Sequence, residues 1–354
     1  MGIRFISALS ILAGPLVALM SVVAACDATP EGPPPNTPAA VPASTTESSA
    51  SVSEASLPVS LAPGAVSPPF VAPVGASGAG AASGASPRVA CPTKVPRREP
   101  VASAPLPTGW VALPGAPDAQ ALRCGNLSRR EWLVRRGGSE VEIALAPRRA
   151  PDDSLPFSLS GKANEGLAGT RKVKPVDRGF LVGFDAGEHG GALWWFGANG
   201  ERRQRLAEEN VIGFTDLGGV PVAITGHALT GISRGKVIRL SPDGSDAWRV
   251  AAWIDLGGAS QTFVSESPET MLVLTTSGLV RVTACGDMSL LAPAHYDVLY
   301  PTSMVVDDAG VVTIGMRHFA TRWIPSARGY REEWLVRTDC AQPSVKKFEC
   351  VCNR

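Results

Sequence analysis

The chain has 354 residues and a formal net charge of +1, with 33 Lys and Arg against 32 Asp and Glu. Near-neutral charge without a basic stripe argues against a nucleic-acid partner and against adhesion to an anionic bilayer through a polybasic surface. A hydrophobic share of 44% is enough for a folded core, but that apolar material is spread unevenly along the chain.

Arg4 is the only basic residue before an apolar stretch that begins at Phe5 and ends in the small residues Ala24 and Ala25. A charged start, an apolar core and a small-residue cleavage point are the layout of a secretory signal. The four residues Val23-Ala24-Ala25-Cys26 resemble the lipobox of bacterial lipoproteins, with Val23 standing where Leu is commoner. The resemblance implies that residues 1–25 are a signal peptide and that Cys26 becomes the mature N-terminus, carrying palmitate-like acyl chains. It also implies a lipid-anchored, extracytoplasmic position in the bacterial cell envelope. Each buried methylene of such a chain contributes about 0.8 kcal/mol, and stable anchoring takes more than one chain. Two other readings stand beside this one: an uncleaved membrane helix, since residues 3–23 have about the length a bilayer core needs, and an ordinary secretory signal cut near Ala25.

Residues 26–90 read as a tether. From 27 to 87 there is no Lys or Arg and a single aromatic, Phe70, among prolines that include Pro33-Pro34-Pro35 and Pro68-Pro69. Such a composition cannot bury enough apolar surface to offset the entropy of ordering, and it predicts a disordered segment. As a coil of about sixty residues it would span roughly 45 Å, and more where proline extends it.

Residues 91–354 read as a globular all-β domain. In 212–225 an apolar strand meets Asp216-Leu217-Gly218-Gly219 and a second apolar strand; residues 235–240 form a third, and a Ser-Pro-Asp-Gly turn ending at Gly244 leads to a fourth through Trp248 and Val250. The same order of events recurs in 261–292, in 303–337 and in 173–206, with a weaker copy in 110–146. Turns at Gly200, Gly244, Gly286 and Ala327 fall at intervals of about forty to forty-four residues, the period of a four-stranded propeller blade. Asx-Gly and Pro-Asp-Gly supply the positive φ of tight hairpins, and period-two alternation gives each strand a face to bury. The pattern predicts a β-propeller of about five or six blades, the sixth degenerate and hidden in the insertion 147–170. The resemblance is to bacterial six- and seven-bladed propellers in general, without the signature of a particular family. A pair of β-sandwiches is the competing architecture. The repeated Glu-Trp-Leu-Val-Arg of 131–135 and 333–337 reads as duplicated strands whose Trp packs between sheets.

Without Cys26, six cysteines remain: Cys91, Cys124, Cys285, Cys340, Cys350 and Cys352. An even number in an exported chain points to disulfides, and six cysteines allow fifteen pairings. A bridge from Cys91 to Cys350 or Cys352 would join the two ends of the domain. A metal or redox pair at Cys350 and Cys352 is the lesser reading, since zinc pairs usually have two or more intervening residues.

The sequence has no nucleotide loop, no Gly-x-Ser-x-Gly elbow and no His-Glu-x-x-His motif. What chemistry remains rests on four histidines: His189, His227 and His318 in or beside connections between second and third strands, and His295 in a connection between blades. Both kinds of connection open on one rim of a propeller, so a rim cluster with Asp185, Glu188 or Asp297 close in sequence is conceivable. The plainer reading is exposed loop histidines. The function expected is a binding or scaffolding module for a protein, a peptide or an envelope glycan. The alternative is a metal-assisted, lactonase-like hydrolase on the same rim; no cofactor is indicated by the sequence.

Overall fold

Short apolar strands separated by glycine-bearing turns fold residues 170–337 into four successive antiparallel sheets. In the computed structural model the described residues are 98–354, without 139, 148–151, 160–164, 230, 245, 342, 347–348 and 353–354. All described residues belong to the unit that spans 82–354. The expected signal peptide, Cys26, the whole tether and Cys91 lie outside the described residues.

The first full sheet runs in the order β4 (Thr170–Val176), β5 (Gly179–Asp185), β6 (Gly191–Gly197), β7 (Arg203–Ala207). The second contains β8 (Val211–Leu217), β9 (Val220–Leu229), β10 (Ile232–Asp243) and β11 (Ala247–Asp255), and the third β12 (Ser260–Ser267), β13 (Thr270–Thr275), β14 (Gly278–Thr283) and β15 (Met288–Pro293). The fourth contains β16 (Ser303–Val306), β17 (Val312–Gly315), β18 (Phe319–Ser326) and β19 (Gly329–Arg337). Each is a meander in which neighbours in sequence are neighbours in space, as a propeller blade requires.

Alternation along each strand sends side chains to two different cores. In the third sheet Met271, Val273, Val280 and Val282 pack toward the second sheet, against Val222, Ile224 and Val237. Their neighbours Leu272, Leu274 and Leu279 pack the other way, against Phe319, Trp323 and Trp334 of the fourth sheet. In the same manner Leu181, Leu193 and Trp195 of the first sheet meet Ala223, Ile238 and Leu240 of the second. Sheets packed face to face in sequence order by shared cores form a β-propeller-like arrangement, and the period read from the turns is the period of the blades. The sheets are not closed into a ring.

The first repeat departs from the expected four strands. Its residues divide between β1 (Trp110–Ala112), which adds to β19 as a fifth strand of the last sheet, and a two-stranded hairpin of β2 (Trp132–Gly137) and β3 (Glu140–Leu145). Between them lies a helix the sequence reading lacked, α1 (Ala119–Asn126), whose N-cap Asp118 accepts a hydrogen bond from Ala121 N–H at 2.8 Å. The hairpin docks on the last sheet. Ser303 Oγ accepts from Val134 N–H at 2.9 Å, and a side chain at Gly315 would collide with the Trp132 carbonyl, so β2 can lie that close only because residue 315 is glycine.

The described residues of the insertion form no sheet of their own, only Thr170 at its end entering β4. Instead Asp152 and Asp153 accept hydrogen bonds from the Arg171 and Val173 N–H groups of β4, at 2.9 and 2.8 Å. Phe157 packs on Phe180 and Phe196, so the segment covers the outer face of the first sheet. The two Trp of the repeated pentapeptide do pack between sheets, but in different cores. Trp132 meets Trp110, Ala320 and Leu335 on the hairpin side of the last sheet, and Trp334 meets Tyr296 and Phe319 on its other side. A final hairpin, β20 (Pro343–Lys346) with β21 (Glu349–Cys352), packs against α1.

Candidate functional site

The connections between second and third strands, together with those between sheets, surround an open cavity of about 720 Å³. Its wall is drawn from all four full sheets or their connections: Asp185 and Gly187 from the first, Gly226, Ala228, Leu229 and Ser233 from the second, Thr276 and Ser277 from the third, and Tyr300 to Thr302 from the connection into the fourth. The approach of the second and third sheets is tight here. A Cβ at Gly226 would stand 2.1 Å from the Ser260 carbonyl, so that position tolerates only glycine.

Asp185, at the end of β5, turns back on its own loop, accepting from the Gly187 N–H at 2.9 Å. Asn210, between the first and second sheets, clamps the same loop by donating to the Gly187 carbonyl at 2.7 Å, and its amide also faces His227 Nδ1 at 3.0 Å. Burial pushes the Asp185 carboxyl above its ordinary value, against the opposing pull of the Gly187 N–H and the charges of His227 and Lys172. Asp185, Asn210 and His227 therefore form one connected group at the cavity wall.

The other histidines have different surroundings. His189 is exposed on the 3₁₀ turn Gly187–His189, beside Glu188. His295 is exposed ahead of the 3₁₀ turn Asp297–Leu299. His318 is 1% exposed in the turn between β17 and β18, with φ +67°, and its N–H donates to the Arg130 carbonyl at 2.8 Å. Burial, with a further push from Arg130, holds its imidazole down to about 4, although Asp339 pulls the other way. The main chain at His318 thus ties Arg130, just ahead of the first hairpin, to the last sheet, with the imidazole buried beside the Arg130 charge. Among the described residues no group of three or more His, Cys, Asp or Glu side chains is placed to hold a metal.

Three features of the molecule escaped the sequence reading. Tyr300 lines the cavity with φ +52° and 49% exposure, and the Arg317 guanidinium lies over its ring at 3.9 Å. The one signal for it was a scarce Tyr placed directly before Pro301. Glu266 on β12 is gripped from two sides: by Arg281 on β14 through bonds of 2.6 and 2.7 Å, and by Arg98 at 2.9 Å. Burial pushes the Glu266 carboxyl up, but the two guanidiniums together outweigh burial and hold it below its ordinary value. Arg322 is 4% exposed, pairs with Glu333 and donates to the Pro105 carbonyl at 2.6 Å. None of these pairings has a fixed spacing in sequence.

Among the cysteines, Cys124 in α1 and Cys340 are each 1% exposed, and Cys124, Cys285 and Cys340 all have interaction partners. Cys350 and Cys352 lie on β21, and no helix among the described residues is long and apolar enough to cross a membrane.

No protein-family model matches the sequence, and no curated protein matches it. Among solved structures the chain is similar to a hydrazine synthase chain of Kuenenia stuttgartiensis, at 15% identity and a TM-score of 0.33 over 44% of this chain and 52% of that one. It is similar to the extracellular domain of a one-component system protein from B. thetaiotaomicron, at 9% identity and a TM-score of 0.34 over 57% and 26% of the two chains. It is similar also to the WD40 β-propeller domain of Doa1, at 10% identity and a TM-score of 0.26 over 58% and 79%. The chain thus spans about half of the first of these proteins and about a quarter of the second.

Proposed function

We propose that this protein is an extracytoplasmic binding module of the bacterial cell envelope, tethered through lipid on Cys26 and presenting the mouth of its β-propeller-like domain to a ligand. The observation that carries the binding role is the 720 Å³ cavity, walled by elements of four sheets and their connections. Polar groups converge there without a nucleophile, base and oxyanion donor in register, which favours holding a ligand over transforming one. The anchor is supported by Val23-Ala24-Ala25-Cys26 and by the tether composition of residues 26–90.

The mouth is tested with Ala228→Trp, which places a large ring on an exposed lining residue. Saturation-transfer NMR against glycan and peptide fractions of an envelope extract is expected to show binding to the native protein and none to the variant. Binding that survives the substitution would move the site elsewhere. The anchor is tested by salt-washed membrane fractionation of Cys26→Ala, which is expected in the soluble fraction.

A hydrolytic reading would have to use Asp185, Asn210 and His227, the one place where a titratable pair meets the cavity. Chemical change of a bound fraction, followed by mass spectrometry and lost in Asp185→Asn, would favour it over binding.

Disulfide bonding fits an exported chain. Cys124, Cys285 and Cys340 each have an interaction partner. The C-terminal hairpin bearing Cys350 and Cys352 packs against the helix bearing Cys124, so a bridge between the two would join the domain's ends at α1 and not only at Cys91. Peptide mapping under non-reducing conditions tests this, and a free Cys124 would exclude it.

A further inference from the structure

Resting on the reading of an exported chain, we infer a disulfide bond between Cys91 and Cys285 that fastens the chain's entry into the domain to the third sheet, at the end opposite the mouth.

The first observation is where the chain enters. Arg98 pairs with Glu266, near the end of β12, at 2.9 Å, and a Cβ at Gly310 in the turn between β16 and β17 would collide with its Cδ. Three residues on, the Val101 N–H donates to the Pro325 carbonyl at 3.0 Å, next to the turn between β18 and β19. The entering segment therefore straps the third sheet to the fourth. All three contacts lie at the turns joining first to second and third to fourth strands. The cavity is walled by the other connections, so the chain enters opposite the mouth.

The second observation is the position of Cys285. It is half-buried in the turn between β14 and β15, at the same end as the strap. Its neighbour Ala284 donates its N–H to the Glu269 carbonyl at 2.7 Å, and Glu269 is three residues beyond the Glu266 that holds Arg98. Seven residues separate Cys91 from Arg98 and can span about 24 Å when extended, so Cys91 is within reach of this turn. Cys285 also has a partner besides Thr283 Oγ1, which accepts from its N–H at 3.3 Å.

The third observation is the place of the other four cysteines. Cys124 lies on α1 beside Gly125, where an added Cβ would meet Leu299 of the connection into the fourth sheet. Cys340 Sγ is 3.4 Å from Arg130 Nη1, and the Arg130 carbonyl takes the His318 N–H from the turn between β17 and β18. Both are at the mouth end. Strand β21, with Cys350 and Cys352, packs against α1 and against the 3₁₀ turn Thr338–Cys340. These four form an even set with partners among themselves. Cys285 lies beyond the far end of β14, about 17 Å along that strand, and a disulfide requires Cα atoms within about 7 Å. Cys91 is the partner that remains.

The bond forms as the two thiols lose two protons and two electrons to a disulfide-bearing oxidant of the exporting compartment, which leaves as a dithiol. It adds a covalent tie beside the Arg98–Glu266 pair, so the strap stays seated when that pair opens.

The test is mass spectrometry of the exported full chain, solubilised in detergent, alkylated and cut with trypsin without reduction. Peptide 89–94 is expected linked to peptide 282–317, with 124–129, 338–346 and 348–354 linked only among themselves. A link from 282–317 to any of the latter three, or alkylated Cys91 or Cys285 beside bridges elsewhere, would overturn the inference alone. Alkylation of all six would overturn the exported-chain disulfide reading with it. Cys91→Ser and Cys285→Ser are each expected to release one maleimide-reactive thiol per denatured chain, and the double variant none. In Cys91→Ser the Val101 amide is expected to exchange roughly tenfold faster, with β13 unchanged. Unaltered exchange at Val101 would overturn the fastening.

Discussion

The third sheet and the first hairpin show what a blade gains from having neighbours on both faces. In β13 and β14 every residue is buried, and successive side chains supply two separate cores. In β3 no residue is buried, Leu145 is 60% exposed, and only Ile143 packs into the core shared with the last sheet. The charges follow the same division. Glu266 and Arg281 are enclosed and bidentate, whereas Arg135 and Glu142 of the hairpin pair at 2.9 Å with both side chains at least half exposed. The same Glu–Arg chemistry therefore has a different weight in the two regions, because solvent screens one pair and not the other.

The largest expected effect breaks the buried pair. Glu266→Gln leaves Arg281 enclosed without its counter-charge and should cost about 3–5 kcal/mol in urea denaturation. Glu142→Gln in the hairpin should stay under about 1 kcal/mol. Next, Leu272→Ala removes a side chain that lies wholly within the third sheet's packing and should cost about 2–5 kcal/mol. Leu145→Ala on the hairpin should stay within about 0.5 kcal/mol.

The third prediction concerns how the hairpin is fastened. His318 is ordinary in the unfolded chain, near 6.5, and held at about 4 in the fold, so between those values the unfolded state binds more protons. Stability is therefore intact above pH 6.5, falls as pH drops through 6.5 toward 4, and loses at most about 3 kcal/mol below that window. Hydrogen exchange should show the amides of β2 and β3 losing protection before those of β13 in this range. A pH-independent exchange pattern, or one unchanged in His318→Asn, would break the link between His318 and the hairpin. The smallest effects, Glu142→Gln and Leu145→Ala, sharpen the comparison by being near zero.

The blades were legible because their signals are local. Gly200, Gly244 and Gly286 all fall in hairpin turns with positive φ, and each joins an antiparallel strand pair that carries one register shift. The fate of 110–146 was not legible: Trp110 adds to a strand more than two hundred residues away, and nothing near it in sequence encodes that partner. Helix α1 was missed because Ala-Gln-Ala-Leu-Arg-Cys is short and weakly patterned, and its cap, Asp118, reads equally well as a turn residue. Of the histidines chosen for chemistry, His227 came to lie against a residue of the cavity wall, while His318 serves packing, a distinction set by burial alone.

By itself the sequence determined the period, the turn positions and the two-sided alternation, since these arise within a hairpin from backbone sterics and side-chain direction. It also marks the lipobox-like Val23-Ala24-Ala25-Cys26 as a local motif. Only the tertiary structure decided which polar residues meet. Asp185, Asn210, Gln261 and Tyr300 belong to different sheets and connections, and they share a cavity because the packing of successive sheets brings their loops to one end. Face-to-face burial of apolar strands drives that packing, and it is indifferent to the polar loops that it carries into contact.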